Sequence, residues 1–421
     1  MIVTPESLHA CLLASLQPMH DELVQIRRDI HAHPEVSWHE TRTSELVAAR
    51  LERAGMSPDR LEPAGVIVDL GAAMPIYRVG LRADIDALPL VERTDLPFRS
   101  RIDGVSHSCG HDVHTTALLG ATLALHERQA ELERLGLAVR CIFQPAEEAM
   151  PGGARALLDL GRLEGVDAIY AVHCDPRRDV GQVGIRRGPI TAASDEVHVI
   201  LHGAGGHTSR PHLTQDVTYA LAKMVTDLPA VLTRRLDPRS AAALIWGAIH
   251  SGTAPNVIPE VGEARGTLRM LDAIAWENVG PLLQELVQEL AAPYGVRAEL
   301  RHTRGVPPVV NTPEGAETLR LATLRVIGPD AVQDTEQSLG GEDFAWMLQG
   351  RQGALARLGT RTAGGHTYDL HRGDLQIDEG AIMHGARLFA AIPFAALEHR
   401  AQLEEPLAPG GGRASRVRAA H

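Results

Sequence analysis

The order of apolar and polar residues divides the first half of the chain into alternating strand-like and helix-like segments. Runs of apolar residues predict buried strands at 76–81, 137–143 and 168–172. Apolar residues at helical spacing predict helices at 20–56, 112–132 and 154–160. This β-α-β-α order is typical of an α/β fold in which helices cover a mostly parallel sheet.

The pattern changes near Ser194, where a second set of elements begins. The predicted order is strand 196–201, helix 214–235, strands 241–249 and 258–270, helix 274–292 and strand 298–302. This β-α-β-β-α-β order predicts a ferredoxin-like α+β domain. Because α/β features resume after residue 306, we interpret the smaller domain as an insertion that acts as a lid or a dimerisation surface.

The length of the chain also indicates two domains, because one hydrophobic core rarely serves 421 residues. We therefore predict a catalytic domain built from residues 1–192 and 306–400, with the lid or dimerisation domain at 193–305. The segment 401–421 is rich in glycine, proline and arginine, and we predict that it is disordered.

Composition narrows the classes of function. The net charge of −12 argues against a nucleic-acid partner, because an acidic surface repels phosphate backbones. Lys223 is the only lysine, which leaves almost no candidate for Schiff-base or P-loop chemistry. The four cysteines are too scattered for a disulfide framework, and no stretch approaches the roughly 20 apolar residues of a membrane span. We expect a soluble, cytoplasmic protein with no membrane partner.

A Cys-Gly-His sequence at residues 109–111 is the first candidate for chemistry. The glycine between Cys109 and His111 allows both side chains to converge on one point, and thiolate and imidazole are suitable ligands for Zn²⁺ and related ions. Such a triplet alone is more often structural than metal-binding. His114 is interpreted as a residue on the surface of the following helix and is not included in the site.

Other polar side chains follow predicted strands. Glu147 and Glu148 come after strand 137–143, His173 after strand 168–172, and Asp84 after strand 76–81. Sites in α/β folds lie at the carboxyl ends of strands, so these residues are expected to meet at one edge of the sheet. One of the adjacent glutamates can then bind a metal while the other accepts a proton from water. His371, on a later loop, is the last candidate.

These candidate residues and the motifs around them resemble those of a known family. The sequence is similar to the M20 metallopeptidases and aminoacylase-type amidohydrolases, in particular the branch that contains hippurate hydrolase, N-acetyl-amino-acid deacetylases and plant auxin-conjugate hydrolases. The matching segments are 28–35 (RDIHAHPE), 82–89 (RADIDALP), 109–112 (CGHD), 144–148 (QPAEE), 206–212 (GHTSRPH), 252–259 (GTAPNVIP), 266–269 (GTLR), 341–344 (GEDF) and 370–371 (LH).

The resemblance implies a role for each matching residue. Five of them correspond to the ligands of two adjacent divalent ions, Zn²⁺, Mn²⁺, Co²⁺ or Ni²⁺: Cys109, His111, Glu148, His173 and His371. The others correspond to the general base (Glu147), a carboxylate that orients a ligand or the base (Asp84), an oxyanion-stabilising histidine that the partner subunit supplies in several relatives (His207), and residues that bind the substrate carboxylate (Asn256 and Arg269).

The resemblance implies hydrolysis of the amide bond of a small N-acylated amino acid, by a homodimer formed through the inserted domain. A dipeptidase or carboxypeptidase of the same fold remains an alternative, although those branches usually carry Asp at the position of Cys109. A binding protein without catalysis is another alternative, but every ligand position is filled. One departure from the family pattern is Arg372-Gly373-Asp374-Leu375, which replaces the usual x-Pro-x-Phe after the last histidine.

The chain lacks the motifs of two unrelated classes of enzyme. A serine hydrolase would need a G-x-S-x-G nucleophile elbow, which the chain does not contain. A dinucleotide-binding enzyme would need G-x-G-x-x-G within a βαβ unit, and the similar segment 203–208 ends in Thr208.

Overall fold

The computed structural model describes residues 5–404. Its α-helices are α1 (Pro5–Leu16), α2 (His20–Ala32), α3 (Thr41–Arg53), α4 (His111–His126), α5 (Gln129–Arg134), α6 (Gly153–Asp159), α7 (Val217–Arg235), α8 (Ala273–Ala291), α9 (Pro313–Val326), α10 (Phe344–Leu348) and α11 (Gly380–Glu404). Its strands are β1 (Asp59–Arg60), β2 (Val66–Gly71), β3 (Tyr77–Asp84), β4 (Leu137–Gln144), β5 (Ala168–Asp179), β6 (Val183–Ile185), β7 (Gly188–Pro189), β8 (Ala193–His202), β9 (Gly206–His207), β10 (Ala243–Ser251), β11 (Val257–Ile258), β12 (Val261–Met270), β13 (Arg297–Val306), β14 (Val310–Asn311), β15 (Val332–Asp334) and β16 (Gln352–Arg361).

An eight-stranded mixed sheet forms the larger layer, in the order β1-β2-β4-β3-β5-β16-β6-β15. Four of its seven neighbouring pairs are parallel, including the central run β4-β3-β5-β16. The central strands β3 and β4 are buried along almost their whole length, as expected for strands covered on both sides. The sheet is therefore mostly parallel, as predicted, and the antiparallel pairs lie outside this central run.

Two hydrophobic clusters enclose the large sheet. One includes α4 and α11, and the other includes α6 and α10. Helix α4 is buried along the whole of residues 111–125; segment 117–125 is almost entirely apolar, and the polar residues of the first turns are buried with it. This burial anchors the amino terminus of α4, where His111 lies, against the carboxyl ends of the strands.

A second sheet of four antiparallel strands, in the order β10-β12-β8-β13, carries α7 and α8 and has its own hydrophobic core. Numbered along the chain, these strands lie in the order second, third, first, fourth. Together with the β-α-β-β-α-β sequence of elements, this is the ferredoxin-like arrangement that the apolar pattern predicted.

Some predicted boundaries were wrong. The helix predicted at 20–56 is divided into α2 and α3, because Pro34 disfavours helical conformation in the residue before it. Strand β5 continues to Asp179, so His173 lies within a strand rather than after one. Helix α11 includes residues 401–404 of the predicted disordered tail, and the rest of that tail lies outside the described residues.

By length and composition alone, helix α11 is long and apolar enough to cross a membrane. No such segment was predicted from the sequence. However, 78% of its most apolar window is buried inside the protein. Its apolar residues pack against α4 and α9, which explains the composition by core packing.

Candidate metal-binding and catalytic site

The candidate residues meet at the carboxyl edge of the central parallel strands. Asp84 is the last residue of β3, Glu147 and Glu148 follow β4, and His173 lies in β5. Cys109 and His111 reach the same edge from the turn that begins α4. Gly110 within that turn has φ 86°, a left-handed conformation that glycine adopts without strain. The alternation of strand and helix therefore brings distant polar residues to one place.

The five predicted metal ligands form one continuous cluster. The Sγ of Cys109 lies 3.5 Å from Nε2 of His173, and His111 has a ring nitrogen within 4.8 Å of both. Nε2 of His371 lies 3.1 Å from Oε1 of Glu148, which is 4.0 Å from Nε2 of His111. Thiolate, imidazole and carboxylate groups thus surround one small volume.

Hydrogen bonds leave one nitrogen of His111 and one of His173 available to a metal. Nδ1 of His111 lies 3.1 Å from a carboxylate oxygen of Asp86, and Nδ1 of His173 donates to the carbonyl of Cys174. The Nε2 atoms therefore carry the lone pairs that face the cluster. Nε2 of His111 is buried and makes no hydrogen bond with the described residues. Oε1 of Glu148 is also buried, and its neighbour at 3.1 Å is Nε2 of His371, itself a predicted ligand. A buried nitrogen without a partner is costly unless a cation binds it, so the residues fit a divalent metal site.

His114 is a buried residue that sequence reasoning misplaced on a helix surface. Its Nδ1 donates to Oδ1 of Asp84 at 2.6 Å, and its Nε2 accepts from the amide of Cys174 at 2.8 Å. Both nitrogens are occupied, so His114 positions Asp84 and is not available to a metal. The available signal was segment 117–125 of α4 (ALLGATLAL), which has one polar side chain and therefore predicts a helix that is buried on all sides.

Asp84 and Asp86 hold different parts of the site. Asp84 is fully buried and pairs with His114 and Arg82, whose Nη1 is 2.7 Å away. Burial would raise the pKa of Asp84, but His111, His114 and Arg82 together lower it well below its usual value. Asp86, which the sequence analysis did not select, bonds to His111 and also accepts from the amide of Glu148 at 2.9 Å.

Glu147 lies among other acids. Burial raises its pKa well above the usual value, and the charges of Glu342, Glu148 and Asp343 act in the same direction. Arg82 opposes this shift, and it contacts both Glu342 and Asp343. Glu147 is therefore a stronger base than an ordinary exposed glutamate.

A cavity of about 500 Å³ opens beside the cluster and is lined by Glu147, Glu148, His371 and Arg269 among others. Nη1 of Arg269 donates to the carbonyl of Leu339 at 2.5 Å. Within one chain His207 and Asn256 do not line this cavity. His207 lies on β9, which pairs with β11, and its side chain is exposed. The structure thus brings together eight of the ten predicted residues.

The unusual segment after His371 is anchored to the rest of the site. The amide of His371 donates to the carbonyl of Ser108 at 2.8 Å, next to Cys109. The carbonyl of Gly373 accepts from the amide of Arg93, and Leu375 is buried. The replaced motif therefore still holds His371 against Glu148.

Comparison with known proteins connects this geometry to a family. Residues 80–394 match the model of peptidase family M20/M25/M40. The chain belongs to this family. As a member of the M20 family it shares a fold with the Bacillus subtilis YXEP protein, described as a dinuclear metal-binding peptidase. That structure has a TM-score of 0.78 and 32% sequence identity, covering 91% of this chain and 99% of the other.

Relatives of similar sequence are named after different activities. N-acetylcysteine deacetylase of Bacillus subtilis and thermostable carboxypeptidase 1 of Saccharolobus solfataricus are each 35% identical over 90% of the chain, which covers 98% and 96% of them. A putative glutamate–cysteine ligase 2-3 of Rhodococcus jostii is 46% identical over 88% of the chain, but the chain spans only 46% of its length. The predicted family and fold class are confirmed, and so is the general class of metal-dependent hydrolase.

Proposed function

We propose that the protein hydrolyses the amide bond of a small N-acylated amino acid, using two divalent metal ions. The observation that carries this proposal is the cluster of five metal-ligand side chains beside Glu147, a carboxylate of raised pKa that faces the same cavity. The relative named as an N-acetylcysteine deacetylase supports this class of substrate.

The metal ions would be held by Cys109, His111, Glu148, His173 and His371. Their mixed sulfur, nitrogen and oxygen atoms are compatible with Zn²⁺, Mn²⁺, Co²⁺ or Ni²⁺. Ions bound there would lower the pKa of water from about 15.7 to about 7 and would polarise a carbonyl oxygen.

The catalytic work of the chain itself falls mainly on Glu147. It accepts a proton from the attacking water as the water oxygen bonds to the amide carbon. It then donates that proton to the nitrogen as the carbon–nitrogen bond breaks, which yields a carboxylic acid and an amine. General acid–base catalysis of this kind contributes about 10²–10⁴ in rate. Asp84 acts as a positioning residue. It pairs with Arg82, which contacts Asp343, and the amide of Asp343 donates to Oε1 of Glu147 at 3.4 Å. It also accepts from His114, whose other nitrogen accepts from the amide of Cys174, next to His173.

Substrate binding involves the inserted domain. Arg269 on β12 lines the cavity, and its planar guanidinium can bind both oxygens of a carboxylate. We propose that His207 and Asn256 reach the cavity of a second subunit in a homodimer formed through the inserted domain. The exposed Ile245 and Ile249 on the edge strand β10 support such an interface, because an unpaired apolar edge favours pairing with another chain. We place the protein in the cytoplasm on the composition alone.

A dipeptidase or carboxypeptidase activity is the second candidate, and the relative named as a thermostable carboxypeptidase supports it. Both activities use the same metal cluster and the same base. A panel of substrates separates them, because only a peptidase cleaves a dipeptide with a free amino group at a comparable rate.

The experiment is a hydrolysis assay with N-acetyl, N-benzoyl, phenylacetyl and indoleacetyl amino acids and with unblocked dipeptides. Each is tested as purified, after chelation, and after addition of Zn²⁺, Mn²⁺, Co²⁺ or Ni²⁺. We expect turnover of at least one N-acyl amino acid, its loss on chelation and its recovery with one of the metals. Turnover of dipeptides alone would replace the proposal by its alternative, and activity that survives complete metal removal would refute both.

A further inference from the structure

Arg357 is a buried cation in the cavity that the proposed mechanism does not use. It lies on β16, directly opposite His173 in the parallel pairing of β16 with β5. Side chains in register on parallel strands point to the same side of the sheet. Only 7% of Arg357 is exposed, and it lines the same cavity as Cys109 and Glu147.

Arg357 differs from the other buried arginines in having no partner. Arg27 pairs with Asp112 at 2.7 Å, and Arg82 pairs with Asp84 at 2.7 Å and Asp343 at 2.8 Å. Among residues 5–404, the side chain of Arg357 makes neither a hydrogen bond nor an ion pair. A buried guanidinium without a carboxylate is costly, so an anion is expected to bind it during function.

The charges near Arg357 act on a bound anion in opposite directions. Burial lowers the pKa of Arg357, whereas the acids Glu342 and Asp175, which make no ion pair with it, act against this effect. Arg357 in turn contributes to the lowered pKa of His173. Divalent ions in the neighbouring cluster would add more positive charge to this wall of the cavity, which strengthens the attraction for a negatively charged ligand group.

Besides Arg177, which is paired with Asp175, the cavity offers two guanidinium groups from two parts of the fold, Arg269 on β12 and Arg357 on β16. Each can bind one carboxylate through paired hydrogen bonds. We infer that Arg357 binds a substrate carboxylate other than the one assigned to Arg269, so that the preferred substrates carry two acidic groups. The second group belongs either to an acidic amino-acid side chain or to a dicarboxylic acyl group. This inference rests on the proposed function and specifies its substrate class.

Two pairs of substrates of matched shape test the inference. N-acetylglutamate is compared with N-acetylglutamine, and N-succinyl-leucine with N-butanoyl-leucine, so that each pair differs in one charge. The variants are Arg357→Met, which removes the charge at similar length, and Arg357→Lys, which keeps the charge. Arg177→Met is the matched control, because Arg177 lines the same cavity but is more exposed and already pairs with Asp175 at 3.2 Å.

We expect the wild-type protein to prefer the doubly acidic member of at least one pair. Arg357→Met should lower kcat/KM for that member by roughly ten- to hundred-fold, with little change for its neutral counterpart. Arg357→Lys should retain part of the preference, and Arg177→Met should retain all of it. The pair that responds shows whether the acid lies in the amino-acid or the acyl part. Equal losses for both members of a pair, or no loss for either, would overturn the inference.

A binding measurement decides the question without turnover. Glutarate and butanoate are titrated by calorimetry into metal-loaded wild-type protein and Arg357→Met. We expect glutarate to bind more tightly to the wild type and to lose this advantage in the variant. Equal affinities in the wild type would refute the inference, whereas selective glutarate binding without turnover of any N-acyl substrate would refute the proposed function alone. Thermal unfolding provides the folding check, because removal of an unpartnered charge should leave Tm unchanged or higher, and a structural role would lower it.

Discussion

Two adjacent glutamates illustrate how position within the site separates residues of the same type. The amide of Glu148 is held by Asp86 at 2.9 Å, and its Oε1 lies beside His371 and His111. Glu147 instead lies against the acids Glu342 and Asp343, where burial raises its pKa. This difference supports the proposed roles, metal binding for Glu148 and proton transfer for Glu147.

Exchange of each glutamate for glutamine tests this division. Glu147→Gln should keep the metal and lose about 10²–10⁴ in kcat, because it removes the base and preserves the shape. Glu148→Gln should lose metal as well as activity, because it removes a charged ligand. Metal content by mass spectrometry and steady-state kinetics distinguish the two variants. Full activity in Glu147→Gln would contradict the assignment of the base.

Glu40 shows the cost of a buried acid near the site. Its side chain is fully buried, its Oε1 accepts from the amide of Ala146 at 2.6 Å, and its Oε2 has no partner among the described residues. Burial, with a contribution from Asp86, raises the pKa of Glu40 from 4.5 to about 7. In the unfolded chain this carboxyl ionises at lower pH than in the folded protein. The free energy of unfolding therefore falls as pH rises from about 4.5 to about 7 and loses nothing further above that.

Glu40→Gln should remove this dependence. The free energy of unfolding of the variant minus that of the wild type should increase from pH 4.5 to pH 8 by up to about 3 kcal/mol. This is the difference between the folded and unfolded pKa of Glu40 at 1.36 kcal/mol per unit. Urea unfolding of the metal-free proteins at both pH values measures the change. A stability difference that stays constant with pH would show that Glu40 ionises normally in the folded protein.

Among the secondary-structure elements, the turn before α4 places a geometric requirement on the site itself. It must present Cys109 and His111 to one point, and Gly110 between them adopts φ 86°. A Cβ at Gly110 would lie 2.9 Å from Sγ of Cys174 and from a side-chain carbon of Ile377. Both backbone conformation and packing therefore require glycine here.

Gly110→Ala should destabilise the protein and reduce its metal content. The left-handed conformation alone costs about 1–2 kcal/mol for alanine, and the contacts with Cys174 and Ile377 add to this. Gly55→Ala is the matched control, because Gly55 has φ 89° with no atom near the added carbon. We expect both variants to lose stability in thermal unfolding and only Gly110→Ala to lose metal. Equal metal content in the two variants would show that the turn is more adaptable than the structure indicates.

At the scale of the whole molecule, the proposed roles of His207 and Asn256 in substrate binding and catalysis require a second subunit. Both lie on the β9–β11 segment of the inserted domain and do not line the cavity of their own chain. The exposed edge strand β10 belongs to the same domain. A symmetric dimer through this domain could place His207 over the cavity of the partner subunit.

Complementation between two inactive variants tests this arrangement. Glu147→Gln and His207→Ala should each have low activity alone. When they are unfolded together and refolded, mixed dimers contain one site with both residues intact, so random pairing should restore about a quarter of wild-type activity. Sedimentation confirms the dimer, and refolding each variant alone is the control. A monomeric protein, or mixtures no more active than their components, would contradict the proposal.

Most of the candidate site residues could be located from the sequence. They follow a strand or lie at the start of a helix, and the apolar pattern of each such element is local. The positions of Cys109, His111, Glu147 and Glu148 relative to these elements need no knowledge of distant contacts. The two-domain order was predictable for the same reason, since hydrophobic period depends on neighbouring residues.

Other features depend on contacts between segments far apart in the chain. His114 is buried because α4 packs against the sheet, and its pairing with Asp84 spans 30 residues. The lack of a partner for Arg357 depends on which acids β5 and the loops bring near, and no local pattern shows it. Folding sets these pairings because burial makes every unpaired polar group costly, and the available partners are known only when the chain has packed.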